Sequence, residues 1–189
     1  MVRPGREPLH GLVEVDETYL GGLEEGVHGR ETQKKAIVMI AVEERSRGMG
    51  RIRMQRVADL RANSLLGFVA QSVEPGSTVR TDGYPSYKPL PRRGYSHTVK
   101  IIAGTKQAHQ ELPLVHRVAS LLKRWIAGTH QSGISRKHLD YYLDEFSFRF
   151  NRRTSASRGK LFYRLIQQAV QIEPQPYRRL VNPQDVGGA

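Results

Sequence analysis

No cysteine occurs among the 189 residues. Its absence removes disulfide cross-links, thiolate zinc sites and a cysteine nucleophile, so any metal must be held by oxygen or imidazole. Such a site favours magnesium or manganese. Long apolar runs are also missing: nothing approaches the roughly 18–20 apolar residues of a spanning helix, and no charged-then-apolar start resembles a signal peptide. The expected setting is the cytoplasm, with no membrane partner. Acids are scarce as well. Eighteen Asp and Glu against 30 Lys and Arg leave a formal charge of +12, a field that attracts nucleic acid. There is no internal repeat and no low-complexity segment.

The acids that are present stand in unusual places. Leu12, Val13 and Val15 read as a buried strand, yet Glu14, Asp16 and Glu17 share that run. A charge on a core strand is paired, hydrogen-bonded or metal-bound, because burying it alone is costly. Asp82 repeats the pattern at the end of a short strand, Ser77 to Asp82, with Gly83 after it. Two such carboxylates converge if their strands lie side by side; either one alone reads equally well as a turn or cap residue. Alternation is expected to turn Glu14 and Glu17 to the face opposite Asp16, with Glu14 structural.

Residues 1–10 read as a linker or tail, 11–173 as one domain and 174–189, with its prolines and Gly-Gly-Ala end, as a loose tail. After a turn-rich loop from Gly21 to Lys35, Ala36–Glu43 is almost wholly apolar, as in a central strand. Arg51–Val57 alternates as a half-buried strand does, completing an antiparallel meander. Leu65, Phe68, Val69 and Ser72 fall at helical spacing, with Asp59 or Asn63 as cap and Glu74-Pro75-Gly76 as stop. Ser96–Ile102 is a further strand. Helices are expected over 111–126, ended by Gly128, over 136–150, capped by Ser135, and over 161–172. Three strands followed by alternating helix and strand predict an α/β fold with a mixed sheet.

On the helix expected over 111–126, His116, Ser120 and Lys123 share one face. Strand-end Asp16, Asp82 after 66 positions and this helix after 34 more are laid out as a two-metal phosphoryl-transfer site. There, ions about 3.5–4 Å apart are bridged by a hard carboxylate. Asp16 is the natural bridge, Asp82 holds one ion, and a helix residue completes the second site. Glu145, beside Asp144 on a later helix, is a rival third acid or simply a solubilising one.

The runs Val13–Gly22 (VEVDETYLGG), Thr81–Tyr84 (TDGY), Leu114–Trp125 (LVHRVASLLKRW) with Gly128-Thr129-His130, and Tyr142–Arg153 (YLDEFSFRFNRR) together resemble the ISXO-two-like group of bacterial insertion-sequence transposases. The similarity extends from about Gly11 to Pro174. It implies a ribonuclease-H-like catalytic domain of the DDE superfamily: an antiparallel three-strand meander plus parallel strands, flanked by helices. It also implies two Mg²⁺ or Mn²⁺ ions, cleavage of DNA at the element's ends and joining of the freed 3′-hydroxyls to target DNA. A homo-oligomer acting at the nucleoid is expected by the same resemblance. In this group Asn, Glu or His replaces the usual third acid and a Lys follows two helical turns on. The matching positions are Asp16, Asp82, His116 and Lys123, the first three as metal ligands.

Magnesium prefers oxygen to imidazole, so His116 has a second reading as a group that orients water or phosphate. Lys123 is placed to neutralise a phosphate. Arg124, Arg149, Arg152, Arg153 and Arg158, among aromatic residues, suit DNA phosphates, as do Arg92, Arg93 and Lys100. Trp125 and Tyr84 read either as base-stacking or as core residues. The family's upstream cysteine-bearing zinc ribbon and end-binding helices have no counterpart here, so the resemblance is to a catalytic domain alone. A hydrolytic metal-dependent nuclease and a silent DNA-binding remnant are the alternative readings.

Overall fold

A computed structural model describes residues 6–21, 35–46, 48–100, 112–130, 137–174 and 176–181. Three strands open the fold: β1 (Leu12–Leu20), β2 (Ala36–Arg45) and β3 (Gly48–Val57). β1 pairs antiparallel with β2, and β2 with β3. Helix α1 (Ala62–Ser72) leads into β4 (Thr78–Thr81), two short 3₁₀ turns and β5 (Ser96–Val99). Helices α2 (Pro113–His130), α3 (Leu139–Phe150), α4 (Arg158–Ala169) and α5 (Tyr177–Val181) follow. β4 lies parallel to β1 and β5 parallel to β4, so the sheet runs β3-β2-β1-β4-β5. This is the expected ribonuclease-H-like mixed sheet, with a meander on one side and parallel strands on the other.

Strand alternation gives the sheet two apolar faces. On one, Val13, Val15, Met39 and Ala41 pack against Leu65, Phe68 and Val69 of α1. On the other, Val38, Ile40, Val42 and Ile52 meet Val115, Val118 and Leu122 of α2 and Leu143, Phe146 and Phe150 of α3. α1 begins where Asp59 accepts hydrogen bonds from the Arg61 amide (3.0 Å) and the Ser64 hydroxyl (2.6 Å). The N-cap itself is Arg61, without a side-chain cap, so neither Asp59 nor Asn63 takes the expected cap position.

β3 is an edge strand, and its exposed backbone is covered by side chains from the end of α3. Asn151 accepts the Ile52 N–H at 2.7 Å and donates to the Ile52 carbonyl at 3.1 Å. Arg153 donates to the carbonyls of Gly50 and Met49.

Some boundaries differ from the sequence expectation. Residues 6–10 are bound into the fold rather than hanging from it: Leu9 is fully buried, bridges Val73, and exchanges backbone hydrogen bonds with Ser72 and Glu74. Burying one leucine is worth about 2 kcal/mol, which offsets ordering a short stretch. Gly128 does not end α2, which continues to His130; the His130 ring packs on Trp125 and Tyr142, which outweighs the roughly 1 kcal/mol cost of a helical glycine. α4 starts and stops three residues earlier than expected, and a short helix, α5, forms within the predicted tail. The loop residues 22–34, the expected end of β5 at 101–102, and Ser135 lie outside the described residues.

Candidate active site

β1 occupies the middle of the sheet, and its parallel register with β4 places Leu12 opposite Thr78, Val13 opposite Val79 and Glu14 opposite Arg80. Continued for two residues, that register sets Asp82 beside Asp16. Asp16 is 7 % exposed. Burial first, and then the charges of Glu17 and Asp82, push its carboxyl up to about 8. The two aspartates are therefore close enough to repel. Glu17 also hydrogen-bonds the Asp16 carboxyl.

Asp82 is held by its turn. Its side chain accepts the Tyr84 N–H at 3.0 Å, an arrangement in which Asp closes a local turn on its own backbone. Gly83 has φ 83°, and a Cβ there would lie 2.6 Å from Val99 Cγ1, so only glycine fits without displacing β5. The Thr81 hydroxyl accepts the Gly83 N–H (3.3 Å) and lies 2.9 Å from His97 Nε2 on β5. Burial holds His97 below the usual imidazole range.

Glu14 corrects the alternation expectation. Two residues from Asp16, it shares that residue's face, while Glu17 takes the other. Its buried carboxylate accepts the Leu114 and Val115 amides at 2.8 and 3.1 Å and pairs with Arg80 at 3.2 Å. Burial raises its pKa, and these amides and Arg80 act against that rise. An acid at a helix N-terminus meets open backbone donors and the positive end of the dipole. Glu14 thus fastens the start of α2 to the face that carries Asp16. Period-two counting from Asp16 contained this signal.

His116, half-buried, lies in the first turn of α2 just beyond that clamp. Lys123 and Arg124 are exposed farther along the helix. Among the described residues no three His, Asp or Glu side chains come together as a metal-binding group. Asp82 is near enough for its charge to act on Asp16, and His116 is not drawn with them into such a group. Glu145 pairs with Arg149 at 2.8 Å. Arg152 stacks on Phe148 at 3.9 Å, and Arg153 stacks on Phe150 while it covers the β3 edge. The Arg158 side chain lies outside the described residues. Trp125 packs against the α2–α3 core and the Phe146 ring, and Tyr84 against the α1 core.

Asp16 stands in the middle of β1 and not at the expected strand end, with Asp82 one residue past β4; a ribonuclease-H-like sheet carrying them suits a nucleotidyl-transferase type of enzyme. Residues 8–151 match the family described as ISXO2-like transposase domain, and the chain belongs to that family, a DNA-binding transposase group. No curated protein matches the chain. Among the described residues no helix is long and apolar enough to cross a membrane.

The donor set fits hard divalent cations. Carboxylate oxygens dominate it, thiolates are absent, and Asp16 carries a repulsion that a cation relieves.

Proposed function

We propose that this domain catalyses metal-dependent cleavage and strand transfer of DNA at the ends of an insertion sequence. The observation that supports the reading is the β1–β4 register, Glu14 opposite Arg80, which continued two residues would bring Asp16 beside Asp82, whose charge acts on it. Asp16 and Asp82 would hold two Mg²⁺ or Mn²⁺ ions, with His116 as the third group and Glu17 adjacent. Divalent ions bound there supply activation of the attacking oxygen and stabilisation of the leaving one.

The chain's own side chains set the rest. Asp16 would give up its proton to hold a cation, and the turn at Thr81–Tyr84, closed by the Asp82 side chain on the Tyr84 N–H, would keep Asp82 in place for the same role. Glu14 fixes the start of α2, which orients His116, and Lys123 meets a phosphate flanking the cut. In cleavage, water attacks phosphorus and the P–O3′ bond breaks, freeing a 3′-hydroxyl. In joining, that hydroxyl attacks a target phosphodiester and one P–O bond replaces another, so no energy-rich cofactor is consumed. A homo-oligomer in the cytoplasm, at the nucleoid, would hold two ends together.

The test is a joining assay with labelled element-end duplexes and Mg²⁺ or Mn²⁺. Wild type joins ends to target, whereas Asp16→Asn and Asp82→Asn do neither step yet still bind DNA in EDTA. Hydrolysis without joining would instead indicate a nuclease. Unchanged products in both variants would contradict the reading.

A further inference from the structure

We propose that an arginine-lined cavity at the β3 edge is a second anion site, which grips a backbone phosphate of DNA away from the acid pair. The inference rests on the DNA reading above but on different residues. The cavity, about 250 Å³, is lined by Arg6, Arg51, Arg53, Arg152 and Arg164, with Glu7 and Asp144 as its acids. That volume falls below the roughly 300–1,000 Å³ of pockets for drug-sized ligands, so it suits one anionic group. β3 stands two strands from β1, about 10 Å by strand spacing.

The charges do not cancel. The lining carries five arginines against Glu7 and Asp144, and Arg51 pairs with Glu43 at 2.9 Å and with Glu7 at 3.3 Å. Arg53 is 6 % exposed and donates to the Ile52 and Glu7 carbonyls, so its guanidinium is fixed in the cavity wall. Arg152 lies flat on Phe148, a geometry that presents a rigid edge to phosphate. Burial, followed by the charges of Arg6 and Arg51, pushes Arg53 down to about 10. A cluster of cations under mutual repulsion is relieved by an anion, as Asp16 is by a cation. Asp144, itself pushed up by burial, is too little to do it. Arg6, Arg152 and Arg164 lie outside the span matched to the family, so this site is built by the domain together with its flanks.

Binding of a short labelled duplex, measured in EDTA across a salt series, tests the site. Arg152→Gln combined with Arg164→Gln removes two contacts without touching the hydrogen bonds of Arg53. Affinity should fall about ten-fold, and the slope of log K against log salt should flatten by about 2. Arg61→Gln with Lys137→Gln removes equal charge from other surfaces and should change affinity less than two-fold. Inorganic phosphate should raise the melting midpoint of wild type but not of the pocket variant, with circular dichroism confirming that both fold. Wild-type affinity in the pocket variant, equal weakening in the control, or no phosphate effect on wild type would overturn the proposal. Loss of binding in a protein that shows no cleavage would leave the pocket standing and remove the transfer reading; cleavage with an unaffected pocket variant would do the reverse.

Discussion

Asp16 and Glu43 are both buried acids on neighbouring strands of one sheet, yet their environments differ in sign. Glu43 is 1 % exposed. Burial pushes its pKa up, but hydrogen bonds and charge from Arg51, with Arg45 beside it, carry it down to about 2. Arg45 and Arg51 approach within 2.8 and 2.9 Å, and His10 within 3.7 Å. Gly50 leaves the room: a Cβ there would lie 2.6 Å from Glu43 Oε2. Asp16 has acids for neighbours and stands near 8. One carboxylate is supplied with cations by its own chain; the other, on the proposed reading, would receive them from outside. The difference separates a structural charge from a functional one more clearly than burial does.

The comparison breaks most visibly in activity. Asp16→Asn should reduce joining on the order of 10³-fold or more, while Glu43→Gln, in protein that remains folded, keeps joining within a few-fold of wild type. Stability should respond the other way. In urea unfolding Glu43→Gln should cost about 3 kcal/mol, the low end for a broken buried pair because Arg45 reaches solvent. That contribution also has an acid limit. With a folded-state pKa below the ordinary 4.5, Glu43 stabilises fully above pH 4.5 and progressively less as pH falls to about 2; Glu43→Gln should not show that loss.

Asp16→Asn, measured without divalent metal, should melt about 3 °C higher than wild type near pH 8, roughly 1 kcal/mol. Asp16 has a raised folded-state pKa, so its penalty is absent below pH 3.8 and grows as pH rises to about 8. The gap between variant and wild type should close toward pH 4. The smallest effect is expected at Arg149, whose partner Glu145 lies on the same helix surface with the arginine 68 % exposed; Arg149→Ala should shift stability by less than about 0.5 kcal/mol.

What was legible in the sequence follows from period and spacing. Asp16 and Asp82 were visible because acids interrupt apolar strand runs, and the meander and helices because their apolar stripes are long. Glu14 was assigned to the wrong face because alternation was miscounted, residues two apart on a strand sharing a face, and its partners, the amides of Leu114 and Val115, lie about a hundred positions away. Leu9 was unreadable for a similar reason. It is a single apolar residue among Pro, Glu and His, and only Val73 opposite gives it a place. Arg153 and Asn151 carried no local sign that they cover the edge of β3, because an unpaired strand edge exists only once the sheet has formed. The arginine cavity gathers residues 6, 51, 53, 152 and 164, a convergence that no local motif encodes.

The most direct measurement is a calorimetric titration of wild type and Asp16→Asn with Mn²⁺ at neutral pH, in two buffers of different ionisation enthalpy. Binding to wild type should release a proton, seen as a heat that changes with the buffer, and Asp16→Asn should lose both the tight binding and the buffer dependence. Equal affinity in the two proteins, or binding with no proton released, would contradict a cation site built on Asp16 and Asp82.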